Sequence, residues 1–296
     1  MRATYRLGVP TAPDHDAWRS YDSVVDAYAR VRAERNAALA RDLVAAVAPP
    51  FSGRVLDVGA GTGVAADVAV TATGTVGTVV AADPSTAMLL AGRHPSVLRA
   101  AAAAPGLPFR PATFDRVVAN LVIAHVPDYR TVLADMARVL RSDGRVGVSS
   151  WGALGDGPPV DDSQDRAAHE AWTAAATEFA SADDLDEVAG EGTPWDDFFD
   201  DPANLRGALE RAGLRHVEIT GRAYRYQLSL EDWLTGQDTT YRSRYLRHVL
   251  GEEGWSRFHE RARTLLEEAV PDPVDCVDEA LFAVGTKPGG TRRDRP

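Results

Sequence analysis

An acid and three glycines lie at close spacing in the stretch VLDVGAGTG. Gly59, Gly61 and Gly63 occupy alternate positions directly after an apolar run that contains Asp57. A glycine-rich turn between a strand and a helix lets a ligand approach the backbone, and the helix N-terminus faces that ligand. In the dinucleotide fingerprint the third small residue follows two intervening positions, where this chain has Val64. The spacing therefore disfavours a nicotinamide dinucleotide.

The two acids in this region indicate the charge of the ligand. Asp57 would repel a pyrophosphate bound at the glycines, whereas it would attract an ammonium group. Asp83 ends the next apolar run, VVAADPS, where a carboxylate can accept hydrogen bonds from two adjacent ribose hydroxyls. A nucleoside with a cationic tail satisfies both acids, and S-adenosylmethionine is such a molecule. The structural alternatives are that Asp57 pairs with Arg54 and that Asp83 caps the helix beginning at Pro84.

Short apolar segments alternate with helix-length segments around these residues. Strands that are apolar on both faces and separated by helices predict an α/β fold with a doubly wound, mostly parallel sheet. Two stretches interrupt the alternation, and one of them holds fifteen Asp or Glu and one Arg over residues 155–202. The predicted organisation is N-terminal helices that close the cofactor site (1–50), a cofactor-binding core (51–151), an acidic insertion acting as a lid (152–202), a core helix and strand (203–228), a helical insertion acting as a substrate lid (229–275), a final core strand (276–288) and a disordered tail (289–296).

With these elements in order, the chain resembles the class I S-adenosylmethionine-dependent methyltransferases. The resemblance is to the small-molecule branch that includes the ubiquinone and menaquinone biosynthesis enzymes and many natural-product methyltransferases. Four motifs carry it in the family's order: VLDVGAGTG (55–63), VVAADPS (79–85), GLPFRPATFDRVVANLVIAHVPD (106–128) and LRSDGRVGVSSW (140–151). It implies a seven-stranded Rossmann-like sheet with helical lid insertions. It also implies methyl transfer to O, N or C of a small organic acceptor, in natural-product or other specialised metabolism.

The resemblance also implies which residues bind the cofactor. Asp57 and the loop backbone would hold the methionine portion, Asp83 the ribose, and Tyr21 or Tyr28 would close the pocket. The full expected set is Tyr21, Tyr28, Asp57, Gly59, Ala60, Gly61, Gly63, Asp83, Pro84, Ser85, Met88, Ala103, Ala104, Asn120 and Leu121. The chain departs from the family at Ala103, where similar enzymes usually carry an acid that meets the adenine amino group. Adenine recognition there must fall to backbone groups or to another side chain.

Catalytic residues are less clearly marked than cofactor residues. Methyl transfer from a sulfonium is an in-line displacement with an activated donor, so the protein mainly positions the two reactants. His125 and His169 are the candidate general bases for a hydroxyl or phenol acceptor, whereas an amine or an activated carbon needs none. The alternative for His125 is a packing role.

One predicted helix face could meet the acceptor. It carries aromatic and basic groups at positions i, i+3, i+4 and i+7, namely Tyr241, Arg244, Tyr245 and His248. Such a face would suit an acidic or phenolic acceptor, and a solvated helix face is the alternative. The acidic insertion could instead attract a cationic amine, although a soluble lid is the simpler interpretation.

Composition narrows the possible partners and locations. A net charge of -11 over 296 residues disfavours a nucleic-acid surface, because such surfaces need Lys and Arg to neutralise phosphates. Cys276 is the single cysteine, so neither a disulfide framework nor a cysteine-based metal site is expected. The sequence shows neither a signal-peptide h-region nor an apolar stretch long enough to span a membrane. We therefore expect a cytoplasmic monomer or homodimer that uses no metal.

Three other functions remain open from the sequence. The first is an enzyme that keeps the cofactor but catalyses a cyclisation or elimination without methyl transfer. The second is a binding or regulatory module without catalysis, which would not need large lids. The third is an NAD-dependent oxidoreductase, which Asp57 and Val64 disfavour.

Overall fold

The computed structural model describes residues 19–154 and 161–289. Seven strands form one sheet in the order β3-β2-β1-β4-β5-β7-β6. The strands are β1 (Arg54–Val58), β2 (Thr78–Asp83), β3 (Val97–Ala101), β4 (Phe114–Asn120), β5 (Leu140–Trp151), β6 (Arg215–Leu228) and β7 (Val274–Thr286). Neighbouring strands among β1 to β5 are parallel, while β7 runs antiparallel between β5 and β6. The predicted doubly wound, mostly parallel seven-stranded sheet is confirmed.

Helices cover the sheet and build the insertions. They are α1 (Val25–Ala27), α2 (Ala33–Val47), α3 (Val64–Thr73), α4 (Thr86–Ala91), α5 (Tyr129–Val139), α6 (Ser163–Thr177), α7 (Ala182–Gly192), α8 (Asp196–Phe199), α9 (Pro202–Arg211), α10 (Leu230–Gln237) and α11 (Tyr241–Ala269). Several begin at a side chain that accepts a backbone N–H of the first turn, as Ser85, Asp128 and Ser229 do. None of the helices in the described ranges is both long and apolar enough to cross a membrane.

The N-terminal segment changes helix type along its length. A 3-10 turn (Tyr21–Val24) leads through α1 into a π-helical turn (Tyr28–Arg32), which continues directly into α2. The wider π turn rotates the residues around it relative to a regular α-helix, and such turns occur often at functional sites. The segment therefore reaches the sheet edge while α2 packs on the sheet face.

Two apolar cores hold the two faces of the sheet. On one face α5 and α9 pack through buried side chains such as Met136 and Leu205. On the other face α2 and α3 pack through buried residues such as Leu43 and Ala66. The sheet strands are thus covered on both sides, as parallel strands require.

The two insertions form one helical cluster although 26 residues of core separate their predicted boundaries (203–228). Buried side chains of α6, α10 and α11, including Trp172, Trp233 and Phe258, pack together and against Val274 and Cys276 of β7. The paired ends of β6 and β7 extend beyond the core to reach this cluster. The last helix of the acidic insertion, α8, instead joins the main core.

Some predicted segments lie outside the described residues. These are residues 1–18 of the predicted N-terminal region, residues 155–160 of the acidic insertion, and the predicted tail apart from Gly289. The predicted domain boundaries stay predictions. The final strand begins at Val274, two residues before the predicted start.

Candidate functional site

The carboxyl ends of three parallel strands meet at one edge of the sheet. Val58 of β1 is in register with Ala82 of β2, and Asn120 ends the neighbouring strand β4. A cavity of about 1210 Å³ opens at this edge. Its walls come from the sheet edge, the N-terminal segment and both insertions. Parallel pairing thus places distant sequence motifs around one space.

The glycine loop borders this cavity with a backbone that requires glycine. Gly59, Gly61 and Gly63 all have positive φ, at +65°, +54° and +84°. A Cβ at Gly59 would lie 2.6 Å from the side chain of Val122, a distance that forces the structure to shift. Helix α3 begins after Gly63, so the loop leads into a helix N-terminus.

Asp83 ties the end of β2 to the glycine loop. Its Oδ2 accepts the N–H of Gly61 at 2.8 Å, and its Oδ1 accepts the N–H of Ser85 at 2.8 Å. Burial raises the pKa of Asp83 although both N–H groups act to lower it. Each carboxylate oxygen retains a further lone pair, and the side chain lines the cavity. Asp83 can therefore hold the loop and still accept hydroxyl groups of a ligand.

Asp57 occupies a different position from the one expected. It is 1% exposed and is not among the residues that line the cavity. Its Oδ2 accepts the N–H of Ala66, in the first turn of α3, at 2.9 Å. Burial and the nearby carboxylates of Asp83 and Asp67 together raise the pKa of Asp57 to about 8, while the N–H of Ala66 acts to lower it. The contact that the structure gives Asp57 is thus with α3, and direct ligand contact stays a prediction.

The loop after β3 supplies a further wall through residues 102–104. Asp135 of α5 fixes this loop, because its Oδ2 accepts the N–H of Gly106 and of Leu107, each at 2.7 Å. Burial acts to raise the pKa of Asp135, but these donors and Arg138 together lower it. Asp135 was not predicted from the sequence as a residue of this site. The one feature of the sequence that indicates an ion pair is its position three residues before Arg138 on the same helix.

The end of β4 is held in an unusual conformation. Leu121 has φ +58°, a left-handed value that branched or bulky residues rarely adopt. Ser149 of β5 stabilises it, because its Oγ accepts the N–H of Leu121 at 2.9 Å and donates to Oδ1 of Asn120 at 2.9 Å. Both Asn120 and Leu121 line the cavity.

Most of the predicted cofactor residues surround this one cavity. Those that line it are Tyr21, Tyr28, Gly59, Gly61, Asp83, Pro84, Ser85, Met88, Ala103, Ala104, Asn120 and Leu121. Asp57, Ala60 and Gly63 do not line it. The N–H of Ala60 donates to the carbonyl of Ala82, so that residue connects the loop to β2.

The N-terminal segment adds Asp22, Arg32 and Asn36, which were not predicted from the sequence. Arg32 and Asn36 line the cavity from the same helical face as the predicted Tyr28, and the Asn36 side-chain amide donates to Tyr28 Oη at 3.3 Å. Asp22 lines it too, and its carboxylate accepts the hydroxyl of Ser85. The spacing of four from Tyr28 to Arg32 and from Arg32 to Asn36 was readable in the sequence. The sequence could not show that this helical face points into the cavity.

The predicted acceptor face of α11 is only partly at the cavity. Tyr241 lines it, whereas Arg244, Tyr245 and His248 do not. Arg244 is 4% exposed and its guanidinium lies between two rings, 4.3 Å from the centroid of Tyr21 and 4.2 Å from that of Tyr241. Its Nη1 donates to the carbonyl of Arg19 at 2.7 Å. The contacts therefore make Arg244 a support for two cavity tyrosines.

His125 has one ring nitrogen available. Nδ1 lies 3.1 Å from the carbonyl oxygen of Gly192, which can only accept, so Nδ1 carries the proton. Nε2 has no hydrogen bond within the described ranges, and the ring lines the cavity. Burial lowers the pKa of His125, although Gly192 and Asp196 act to raise it. The imidazole is therefore neutral at pH 7, with Nε2 as the acceptor.

His169 differs because both of its nitrogens have partners. Nδ1 lies 2.8 Å from the carbonyl oxygen of Asp165, and Nε2 lies 3.1 Å from Nε2 of Gln237. Its side chain is 53% exposed. Although it lines the cavity, His169 is less suited than His125 to accept a proton.

Gly192 connects the histidine to the lid. Its carbonyl fixes the tautomer of His125, and a Cβ at this position would lie 2.1 Å from Cδ2 of Tyr241. The Tyr241 ring can therefore occupy its place at the cavity only because position 192 has no side chain.

No group of three or more His, Cys, Asp or Glu in residues 19–154 and 161–289 could hold a metal ion.

Comparison with known proteins agrees with this geometry. Residues 56–148 match the family model described as a methyltransferase domain, which confirms the predicted resemblance over that segment. A demethylmenaquinone methyltransferase from Mycobacterium sp. (strain KMS) is 40% identical over 111 residues, which make up 38% of this chain and 47% of the relative. The chain thus spans about half the length of the curated relatives it matches.

Solved structures share the fold at low sequence identity. Phosphoethanolamine N-methyltransferase 2 of Haemonchus contortus, in complex with phosphomonomethylethanolamine and S-adenosylhomocysteine, has a TM-score of 0.53 at 16% identity. The match covers 95% of this chain and 61% of that one. A protein from Anaeromyxobacter dehalogenans described as a type II methyltransferase has a TM-score of 0.54 at 19% identity, with 86% and 97% covered. These likenesses establish the fold.

A Gly192→Ala substitution tests the packing of Tyr241. The added methyl group would overlap the Tyr241 ring, so we expect a loss of stability of about 1–3 kcal/mol. Gly190→Ala is the matched control on the same helix, because nothing lies within 4 Å of its added Cβ. There we expect no loss, and a gain of up to about 1 kcal/mol from helix propensity. Thermal unfolding of both variants measures this, and equal midpoints would contradict the packing described.

The pH dependence of stability tests the burial of Asp57. Its pKa is raised above the unfolded value, so the folded state keeps a proton that the unfolded state releases as pH rises between about 4 and about 8. Stability should therefore fall with rising pH in this window, and Asp57→Asn should reduce that fall by on the order of a few kcal/mol. Chemical denaturation of the ligand-free protein at pH 5 and pH 8 measures both. Parallel pH profiles for the two proteins would contradict the assignment.

Proposed function

We propose that this chain, whose residues 56–148 form a methyltransferase domain on the class I methyltransferase fold, transfers a methyl group from S-adenosylmethionine to a small organic acceptor. One observation carries the proposal: the positive-φ glycine loop after β1 and the carboxylate ending β2 border the same large cavity. Asp83 joins these two features directly through the N–H of Gly61.

The lining groups fit the parts of this cofactor. Asp83 has lone pairs for the ribose hydroxyls, and Pro84 and Met88 offer an apolar wall for adenine. The backbone of residues 102–104, held by Asp135, stands where an adenine amino group would need acceptors. The backbone at the strand end around Asn120 lines the same cavity and would face the ammonium group. When bound, the cofactor supplies a sulfonium-activated methyl group, so the protein has to position the acceptor in line with it.

The remaining space suits an organic acceptor of moderate size. A volume of about 1210 Å³ exceeds the roughly 300–1,000 Å³ of typical small-molecule pockets, so it can hold two ligands. The insertions supply aromatic and polar walls there, including Trp172, Thr173 and Tyr241. In the proposed reaction these walls would exclude water from the reacting groups and orient the acceptor. Because residues of both insertions line this part of the cavity, we propose that the two insertions together form the acceptor pocket.

His125 favours a hydroxyl or phenol as the acceptor group. The imidazole is neutral at pH 7, and its Nε2, which has no hydrogen bond to residues 19–154 or 161–289, can take the acceptor proton while Gly192 keeps the ring oriented. An amine acceptor would not need this group. We therefore propose O-methylation, with His125 as the general base. A role in natural-product or other specialised metabolism accords with the two large insertions.

Titration with S-adenosylhomocysteine tests the cofactor assignment. We expect calorimetric binding by the unsubstituted protein, and binding weakened about tenfold to hundredfold in Asp83→Asn, because hydrogen bonds to a charged group contribute roughly 1.5–3 kcal/mol. Asp26→Asn, an exposed acid on α1, serves as the control. Absence of binding heat in the unsubstituted protein would overturn the proposal.

Turnover with a panel of phenols and alcohols then separates the reaction types. Methyl transfer releases S-adenosylhomocysteine in equal amount to the methylated product. A cyclisation or elimination that keeps the methyl group on the cofactor releases none. Mass spectrometry of the cofactor pool after turnover distinguishes them, and product without S-adenosylhomocysteine would support the alternative reaction.

A His125→Asn substitution tests the general base. We expect kcat to fall about a hundredfold or more with unchanged affinity for S-adenosylhomocysteine. In the unsubstituted enzyme the rate should stay high down to pH values below 6.5, because burial lowers the pKa of His125 and only its neutral form accepts a proton. His169→Asn is the matched control, for which we expect a change of less than about threefold. A similar effect of both substitutions would contradict the role of His125.

A further inference from the structure

A second, smaller cavity lies beside the main cavity that the glycine loop borders. Its volume is about 260 Å³, and its lining includes Val31 of the N-terminal segment, Leu228 of β6 and Asp278 of β7. We call this space the side chamber. A cavity of about 150 Å³ holds a benzene molecule, so the side chamber has room for one ring-sized group.

Aromatic rings form part of the wall of the side chamber. Trp151, Tyr226 and Trp233 all line it. The guanidinium of Arg35 lies 5.4 Å from the ring centroid of Trp151 and 5.1 Å from that of Tyr226. The charge of this guanidinium is balanced by its ion pair with Asp278. The rings therefore offer surfaces against which another aromatic group can pack.

The side chamber and the main cavity share part of their walls. The residues on both linings are Arg32, Trp151, His169, Gln237 and Thr240. Two of these bind each other, because the side-chain amide of Gln237 donates to Nε2 of His169 at 3.1 Å. The His169–Gln237 pair joins α6 of the acidic insertion to the end of α10 in the helical insertion. It therefore bridges the two insertions at the boundary between the two spaces.

Contacts from both insertions hold the imidazole of His169 in place. Its Nδ1 donates to the carbonyl oxygen of Asp165 at 2.8 Å. Its ring meets that of Trp233 edge to face, with the ring centroids 5.0 Å apart. The indole N–H of Trp233 in turn donates to Oδ1 of Asp165 at 3.2 Å. Both ring nitrogens and the ring itself are thus engaged, so His169 has a defined position at this boundary.

We propose that the His169–Gln237 pair determines the length of the acceptor by closing the acceptor pocket toward the side chamber. The inference rests on the proposed function, because it assigns one end of the acceptor site. An acceptor of a single ring ends at the pair. An acceptor extended by a second ring is excluded, because the pair occupies the way into the side chamber. Loss of either side chain joins the two cavities and admits the longer acceptor.

Cysteine accessibility tests this partition in the full chain without any acceptor. Val31→Cys places a thiol in the side chamber, because position 31 lines that space and not the main cavity. Two reagents are compared, the ring-sized benzyl methanethiosulfonate and the small methyl methanethiosulfonate. Peptide mass spectrometry follows the introduced thiol separately from the buried Cys276.

The ratio of the benzyl rate to the methyl rate measures the size limit. When His169→Ala or Gln237→Ala is added, we expect this ratio to rise about tenfold or more, because forcing a ring past a filled space costs roughly 1–3 kcal/mol. The methyl reagent corrects for any change in the reactivity of the thiol. A cooperative thermal transition in each variant shows that it is folded.

Turnover tests the consequence for the acceptor. Phenol and 4-phenylphenol differ by one ring, and their kcat/KM values are compared through release of S-adenosylhomocysteine. In His169→Ala we expect the ratio for the longer to the shorter acceptor to rise about tenfold. Glu170→Ala is the matched control, since this exposed neighbour on α6 lines neither space. In that variant both ratios should stay unchanged.

The outcomes separate this inference from the function on which it rests. An unchanged reagent ratio in both His169→Ala and Gln237→Ala would overturn the inference. An equal rise in Glu170→Ala would overturn it too, because it would show a general loosening of the insertions. Release of no S-adenosylhomocysteine with either phenol would count against the proposed O-methylation. In that case the reagent ratios would still decide whether the pair closes the side chamber.

Discussion

The carboxylate of Asp83 joins the end of one strand to the loop that follows its neighbour. By accepting the N–H of Gly61 and of Ser85, it fixes the glycine loop and the start of α4 in one arrangement. Parallel pairing of β1 with β2 makes this possible, because it brings both carboxyl ends to the same edge of the sheet. The cavity opens at that edge, and residues of the N-terminal segment and of both insertions line it there. A single buried acid thus holds the loop, the start of α4 and one wall of the cavity together.

The insertions and the N-terminal segment form the opposite wall as one interconnected unit. Arg244 on α11 lies between the rings of Tyr21 and Tyr241, and it also holds the backbone of Arg19. Gly192 on α7 contacts Tyr241 and orients His125. Each of these contacts joins elements that are far apart in the chain. This wall of the cavity is therefore sensitive to changes at positions that do not line the cavity, such as Gly192 and Arg244.

Charge is distributed unevenly around the cavity. Burial raises the pKa of Asp83, which lines the cavity at the sheet edge, so this acid gains from a nearby cation. Arg32, on the facing helix, has its pKa lowered and gains from a nearby anion.

The sequence by itself determined the fold class and the glycine loop with its two acids, and it predicted many of the residues that line the cavity, because these depend on local spacing and on the fixed geometry of parallel strands. It could not determine which face of a helix points inward or which insertion meets which. Only the tertiary structure revealed that Asp57 contacts Ala66, that Arg244 supports two tyrosines, and that Arg32 has no carboxylate within salt-bridge distance among residues 19–154 and 161–289. Those facts arise from contacts between segments far apart in the chain, and no local pattern of residues records them.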